Sequence, residues 1–296
     1  MRRKLGAGDV TFNILNYMFL AALMVCTLYP FINLLAISLN ESTDTLRGQV
    51  YLWPNALTWD NYRVVFQNEM LLGATLRSVA RTVLGTALSL IGSVMLAYTL
   101  SRKEFFLRKS INLIMVISMY ISGGLIPTYI LIKNLGLTNS FWVYIIPGLI
   151  SVFNVIIIRT YFDQLPDGLV EAARIDGANE FQTLFRIVIP VSMPVLATVT
   201  LFVSVGHWNS WFDNYMYNTR DNLNLLQYEL MKILMQSTQQ VTSNATGSLS
   251  SESLRQITPQ SIRATMTIIV TIPILFVYPF LQRYFIKGIM IGAVKE

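Results

Sequence analysis

Long apolar runs alternate with polar connections along the whole chain. Six runs have the length and the clustered Leu, Ile, Val and Met residues of a membrane-spanning helix, which needs about 20 mostly apolar residues to cross ~30 Å of hydrocarbon. The six predicted spans cover residues 12–39, 78–100, 110–132, 141–161, 190–211 and 263–283. Peptide groups in lipid must be hydrogen-bonded within their own segment, so helices are the form that fits. We therefore predict an all-α membrane protein with six transmembrane helices in a single domain over residues 1–296.

The composition agrees with lipid as part of the solvent. Of the 296 residues, 53% are hydrophobic and 13% are charged, whereas soluble domains carry about 25% charged residues. The net charge of +6 does not indicate nucleic-acid binding, because the basic residues flank the apolar runs. One cysteine, Cys26, and one histidine, His207, supply neither a disulfide nor the ligands of a metal centre. The sequence therefore predicts no metal site and no catalytic residues.

Lys and Arg are distributed unequally between the two sets of connections. They are concentrated at the two termini and in the connections 101–109 and 162–190, whereas the longer loops 40–77 and 212–262 carry fewer. The positive-inside rule assigns the basic set to the cytoplasm. We therefore expect both termini to be cytoplasmic and the loops 40–77 and 212–262 to lie outside.

The middles of all six runs lack Asp, Glu, Lys and His, which argues against a proton-coupled transporter or an intramembrane metalloprotease. Arg81 lies one turn into the second span, near its outer end, and is expected to extend its head group to water. It begins a four-residue repeat that continues through Gly85, Ser89, Ser93 and Ala97 on one helix face. Small residues on such a face favour close packing against another helix. Lining of a pore is the alternative interpretation.

Prolines recur within the predicted spans. Each removes one intrahelical hydrogen bond and favours a kink. We expect kinks at Pro30, Pro127, Pro147, Pro194, Pro273 and Pro279.

Aromatic and polar side chains follow the fifth span. Aromatic faces can stack on sugars, and Asn or Asp can pair with hydroxyl groups, although an aromatic belt at the membrane interface would have the same composition. The candidates for a substrate path are Tyr120, Tyr129, Asn154, Trp208, Asn209, Trp211 and Asp213. Farther along the same loop, the polar stretch 237–256 has too few apolar residues to offset its ordering entropy, and we expect it to be mobile or to fold on a partner.

The connection 162–190 has the pattern of two short helices separated by a bend. Asp167 is the predicted N-cap of the first helix, and Gly177 provides its left-handed stop. Asn179 and Gln182 form the spacing of a capping box that begins the second helix, and Pro190 marks the junction with the fifth span. Small residues between them leave room for another protein to pack against this connection.

The same connection matches the EAA motif of permease subunits of binding-protein-dependent ABC importers. The motif EAA–X3–G–X9–I–X–[LVI]–P begins at Glu171 and ends at Pro190. In addition, PNALTWDNYRVVF (54–66) resembles the first outer loop of carbohydrate-uptake permeases, and RYFIKGIMIGAVKE (283–296) resembles their carboxyl terminus. The chain therefore resembles the maltose-type carbohydrate family, and within it the permeases for oligo- and polysaccharides of the alginate-importer kind.

This resemblance implies a type I ABC importer permease fold in the cytoplasmic (inner) membrane of a bacterium. It implies three kinds of protein partner besides membrane lipid: a second homologous permease in a heterodimer, two ATPase subunits, and an extracytoplasmic solute-binding protein. ATP and Mg would bind to the ATPase subunits, because this chain has no GxxxxGK[ST] loop. The implied ATPase-coupling residues are Glu171, Ala172, Ala173, Asp176, Gly177, Ile187 and Pro190.

Other functions stay open at this point. The EAA motif is shared with permeases for amino acids, peptides or metals, and an ion-coupled secondary transporter would also be a bundle of apolar helices. The EAA spacing and the charge-free span centres argue against the secondary transporter. A membrane-embedded enzyme would need a nucleophile and base, or metal ligands, that the chain does not supply.

Overall fold

A computed structural model describes residues 7–48, 50–243 and 258–293. Within these ranges the chain is helical, as predicted, with no strand and one isolated β-bridge between Asn40 and Leu57. The α-helices are α1 (Ala7–Ser38), α2 (Ser42–Leu46), α3 (Asp60–Gln67), α4 (Glu69–Ser101), α5 (Arg108–Tyr120), α6 (Leu125–Asn134), α7 (Val152–Phe162), α8 (Asp167–Ile175), α9 (Glu180–Thr183), α10 (Ile189–Val191), α11 (Met193–Asn209), α12 (Phe212–Tyr217), α13 (Leu226–Ser243) and α14 (Pro259–Ala293). Short 3₁₀ turns cover Phe141–Tyr144, Ile146–Gly148 and Asp221–Leu223, and a π-helical turn covers Leu184–Val188.

Three continuous helices in the described ranges are long and apolar enough to cross a membrane: Gly8–Ser38, Glu69–Ser101 and Pro259–Val277. Three bent pairs of helices bring the number to as many as six if each pair is one span, by length and composition. The helix α4 begins at Glu69, earlier than the predicted second span at residue 78, because Met and Leu in its first turns favour helix.

The third, fourth and fifth spans are bent, as the prolines in them predicted. The third span is divided between α5 and α6 with a bend of 119°, the fourth bends by 48° before α7, and the fifth bends by 85° before α11. Gly124 has φ +83 at the first break, a conformation that glycine adopts without a steric penalty. Each break lies within a few residues of Pro127, Pro147 or Pro194, as the prolines predicted. Pro30, Pro273 and Pro279 instead lie inside continuous helices, where a kink was expected.

Residue contacts divide the chain into two compact units. The first comprises residues 1–69 and 232–271. Its small apolar core joins Ala36 and Ile37 of α1 to Val50 and Ala264.

The second unit comprises residues 70–231 and 272–296. Its main apolar core lies where α4, α7 and α11 meet, and includes Ala97, Val155 and Val199, all fully buried. The repeat on α4 predicted for helix packing is buried here: Gly85, Ser89, Ser93 and Ala97 all face the interior. The packing interpretation of this face therefore fits the structure.

The polar stretch 237–256 is partly helical, contrary to the sequence-based expectation. The helix α13 continues through residues 237–243 to Ser243. Extending an existing helix costs much less than starting one, and Gln is a good helix former. The remainder of that stretch, 244–256, lies outside the described residues.

Candidate functional site

The connection between α7 and the fifth span folds into the predicted helix, bend and helix. The helix α8 ends in a Schellman motif, in which the Gly177 N–H donates to the Arg174 carbonyl at 3.0 Å and the Ala178 N–H donates to the Ala173 carbonyl at 2.9 Å. Gly177 has φ +78, which confirms its predicted role as a left-handed stop.

The second helix begins as the sequence predicted. The Asn179 side chain accepts from the Gln182 N–H at 2.8 Å, and the Gln182 side chain accepts from the Asn179 N–H at 3.0 Å. This capping box fixes the direction in which α9 leaves the bend.

The predicted N-cap at Asp167 is wrong. Pro166 occupies the N-cap position and Asp167 is the first helical residue. Pro has no N–H and a fixed φ, so it is well suited to a position where the chain turns into a helix. The Asp167 carboxylate instead accepts from Lys103 Nζ at 2.8 Å, and this hydrogen bond holds the pKa of Asp167 below its usual value.

One face of α8 packs on the protein and the other does not. Val170 and Ala173 are buried. Glu171, Ala172 and Ile175 are exposed at the i, i+1 and i+4 positions, and Ile175 retains 86% of its accessible surface. Ile175 is the last residue of α8, so this apolar side chain lies uncovered where the helix meets the bend at Gly177.

A cluster of four polar side chains fixes α8 to its surroundings; we call it the Arg174 cluster (Arg174, Glu104, Glu180 and Tyr98). Arg174 donates from both Nη atoms to the Glu104 carboxylate at 2.7 Å each, and from Nη2 to Glu180 Oε1 at 3.1 Å. Glu180 Oε2 in turn accepts from the Tyr98 hydroxyl at 2.6 Å. The cluster therefore links α8 to the connection after α4, to α9, and to α4 itself.

The hydrogen bond from Arg174 lowers the pKa of Glu104, and that bond to Glu104 is also the main cause that raises the pKa of Arg174. Both groups are therefore charged at neutral pH. Sequence reasoning missed this cluster, because it treated residues 101–109 as a topology signal only. The one signal available was Glu104, an acidic residue within a basic connection.

The remaining coupling residues lie farther along. Ile187 belongs to the π-helical turn and Pro190 to α10. The bend between this segment and α11 occurs at Ser192, followed by Pro194, rather than at Pro190 itself. The wider π turn precedes the proline, whose missing N–H leaves one carbonyl without its usual partner.

The substrate-path candidates fall into one group and two separate positions. Trp208, Asn209, Trp211 and Asp213 lie at the end of α11 and the start of α12. Tyr129 of α6 joins this region by stacking on Tyr217 of α12, with ring centroids 6.0 Å apart. In contrast, Tyr120 is exposed at the end of α5, and Asn154 is buried in α7.

Within that group the side chains have different environments. Trp208 is buried, and Asn209 accepts a hydrogen bond from Gln227 at 3.2 Å. Trp211 packs at a right angle on Phe212, with ring centroids 5.7 Å apart.

Arg81 is buried, contrary to the expectation that it reaches water. Its side chain is 4% exposed and pairs with the Asp213 carboxylate. Arg81 Nη1 also donates to the Ser210 carbonyl at 3.1 Å, and its guanidinium lies 5.2 Å from the centre of the Tyr144 ring. A charge that finds its partner inside the bundle has no need to extend to the interface. The partner comes from the end of the fifth span, 132 residues away along the chain.

His207 explains the glycine next to Arg81 on the α4 face. A Cβ at position 85 would lie 2.6 Å from His207 Nε2. Gly85 therefore allows α11 to approach α4 closely at this level. Within the part of the chain that the structure describes, no three His, Cys, Asp or Glu side chains are close enough to hold a metal ion.

Comparison with known proteins gives a consistent result. Residues 89–291 match the family described as binding-protein-dependent transport system inner membrane component. The chain is 35% identical to the polygalacturonan/rhamnogalacturonan transport system permease protein YtcP of Bacillus subtilis (96% of this chain, 98% of the relative). It is 28% identical to the arabinooligosaccharides transport system permease protein AraQ of Halalkalibacterium halodurans (95% of each chain).

A solved structure has the same fold. A chain from the crystal structure of a bacterial ABC transporter involved in the import of the acidic polysaccharide alginate superimposes with a TM-score of 0.86 and 28% identity, over 95% of this chain and 99% of that one. A second chain superimposes with a TM-score of 0.60 at 14% identity, over 93% and 94%, which supports the fold alone; it comes from a bacterial alginate ABC transporter in complex with an alginate pentasaccharide-bound periplasmic protein.

Proposed function

Because the chain belongs to the family of binding-protein-dependent transport system inner membrane components, we propose that it is a permease subunit of an ATP-driven importer. Its substrate class is carbohydrate, in the form of oligo- or polysaccharides delivered by a solute-binding protein. The names of its relatives support this class, since polygalacturonan, arabinooligosaccharides and alginate are all carbohydrates.

The exposed face of α8 is the observation that carries the proposal. A short helix whose end is fixed by a Schellman motif and whose apolar Ile175 is uncovered provides a firm surface for a partner protein. We assign this face to the ATPase subunit. Glu171 and Ala172 flank Ile175 on the same face and complete the contact.

The arrangement in the membrane follows from this assignment. The connection that carries α8 faces the cytoplasm, as do both termini, and the loops after α1 and α11 face outward. A second homologous permease encloses the path, two ATPase subunits bind ATP and Mg below it, and a binding protein docks above. The membrane is the cytoplasmic membrane of a bacterium.

The Arg174 cluster suggests how movement of α8 reaches the rest of the subunit. When ATP closes the ATPase dimer, α8 moves with the surface that it contacts. Arg174 connects this movement to the connection after α4 through Glu104, and to α4 through Glu180 and Tyr98. The helix α4 packs in the main apolar core, so its displacement changes the packing of α7 and α11.

Ile175→Glu tests the docking surface. A carboxylate placed in an apolar contact must be desolvated without a partner, so we expect the variant to lose its ATPase subunits. The measurement is ATP hydrolysis retained by the affinity-purified chain in mild detergent. The matched control is Leu46→Glu, at an exposed leucine in α2, which should retain wild-type hydrolysis. Equal retention by the two variants would contradict the assignment of this face.

Arg174→Gln tests the transmission route. The substitution removes the paired bonds to Glu104, but it leaves the face that carries Ile175 intact. We expect ATPase subunits to stay bound while uptake per ATP hydrolysed falls, as measured in proteoliposomes. Stability should change little, because exposed ion pairs contribute little to folding.

Lys103→Gln is the matched control for this experiment. Lys103 also pairs with an α8 carboxylate, Asp167, but the pair is more exposed and makes one bond. Its removal should leave the ratio of uptake to hydrolysis unchanged. An Arg174→Gln transporter that couples as well as the Lys103→Gln transporter would show that the cluster does not transmit movement.

A further inference from the structure

The segment 50–58 is fixed against the end of α1 by backbone and side-chain hydrogen bonds. The Asn33 amide donates to the Val50 and Tyr51 carbonyls at 2.9 and 2.8 Å. The Thr58 N–H donates to the Leu39 carbonyl at 2.8 Å. The segment therefore lies beside Asn33 of α1 at residues 50 and 51, and it reaches the carboxyl end of α1 at Thr58.

These hydrogen bonds fix the depth of the segment along α1. Asn33 precedes Leu39 by six residues, which corresponds to about 9 Å along a helix axis at 1.5 Å per residue. Helical side chains also lean toward the amino terminus of their helix. The carbonyls of Val50 and Tyr51 are therefore held about 9 Å farther down α1 than Thr58.

Asn33 lies near the level where hydrocarbon ends, because the uncharged run 10–40 is centred on residue 25 and Asn33 is eight residues from that centre. Eight helical residues correspond to about 12 Å, and half of a hydrocarbon layer is ~15 Å thick. Residues 17–32 contain no charged side chain, and as a helix they cover ~24 Å of a hydrocarbon layer ~30 Å thick. The Thr27 hydroxyl within this run bonds to the Leu23 carbonyl of its own helix. The Asn33 amide donates to the segment, to the carbonyls of Val50 and Tyr51.

The side chains at this depth are large, apolar and uncovered. Trp53 is 82% exposed, and the neighbouring Tyr51 and Leu52 are also exposed. Trp and Tyr are the residues that concentrate at the boundary between hydrocarbon and head groups. Their backbone is held in place, so the aromatic rings are presented at a fixed level.

We propose that residues 51–53 insert into the lipid bilayer at the carboxyl end of α1 and anchor this end of the helix at the hydrocarbon boundary. The occupant of the surface is phospholipid, with the rings of Tyr51 and Trp53 among the glycerol and upper acyl-chain groups. Asn33 acts as the positioning residue, because it sets the depth of the segment. This inference does not depend on which side of the membrane the segment occupies.

Tryptophan quenching tests the anchor. The full chain, purified with its native subunits in nanodiscs, is compared as wild type, Trp53→Phe and Trp59→Phe. Trp59 is a matched control, because it is 65% exposed and follows Thr58 at the end of α1, above the proposed boundary. Phosphatidylcholine brominated in the upper acyl chain is the lipid quencher, and iodide is the aqueous quencher.

We expect Trp53→Phe to remove emission that brominated lipid quenches, and Trp59→Phe to remove emission that iodide quenches. If Trp53→Phe removes iodide-quenched emission instead, the segment faces water and the proposal is overturned. If neither quencher acts on the emission that Trp53 contributes, another protein covers the segment, and the proposal is equally overturned.

Discussion

Asp213→Ala should destabilise the subunit by about 3–5 kcal/mol, because it leaves the Arg81 guanidinium buried without a counter-charge. The Arg81 side chain is 4% exposed, and its contacts with the Ser210 carbonyl and the Tyr144 ring do not neutralise it. The measurement is the free energy of unfolding in mixed detergent micelles. We expect the transporter carrying this variant to reach the membrane in smaller amounts.

Two further variants separate the charge from other effects. Asp60→Ala removes a carboxylate that pairs with Arg63 at 3.8 Å on the surface, and it should change stability little. Arg81→Met combined with Asp213→Leu removes both charges, and it should recover most of the lost free energy, because an apolar pair of similar size costs no desolvation. A double variant as unstable as Asp213→Ala alone would show that the ion pair is not the cause.

Gly177→Pro should uncouple ATP hydrolysis from uptake while leaving the protein in the membrane. Proline fixes φ near −65°, whereas Gly177 has φ +78. The ring also removes the N–H that donates to the Arg174 carbonyl. The bend between α8 and α9 must therefore change its path, and α8 can no longer hold its angle to the rest of the subunit. The measurement is uptake and ATP hydrolysis by the reconstituted transporter in proteoliposomes.

Gly48→Pro is the matched control for this variant. Gly48 has φ +80 and its N–H donates to the Thr45 carbonyl at 3.2 Å, so the substitution causes the same local conflict in the connection after α1. We expect it to reduce the amount of folded protein without changing uptake per ATP hydrolysed. Uptake at the wild-type level by Gly177→Pro would count heavily against the assignment of α8 as the coupling helix.

The features that sequence predicted well depend on residues close together in the chain. The left-handed stop at Gly177 and the capping box between Asn179 and Gln182 are local, so residue type and spacing determine them. The apolar runs likewise indicated the long helices, because the length of an apolar run can be compared directly with the thickness of the hydrocarbon layer.

The features that sequence did not predict depend on distant partners. The partner of Arg81 is 132 residues away, and the partner of Arg174 in the connection after α4 is 70 residues away. A single sequence does not show which distant residues form pairs. Arg81 was therefore expected to reach water, and Glu104 was not considered as a partner of Arg174. The bends were a different case: three prolines indicated where helices would break, but the angle at each break depends on packing.

The break between α5 and α6 has a consequence for the surroundings of this subunit. Tyr120 and Ile121 are exposed there. The ladder of peptide hydrogen bonds in α5 ends at Tyr120, and it begins again in α6 after Gly124. Starting from Arg108, α5 rises only ~20 Å before it stops, short of the far side of a bilayer. Hydrocarbon cannot solvate bare peptide groups. We therefore expect this flank of the subunit to adjoin water or another protein rather than lipid.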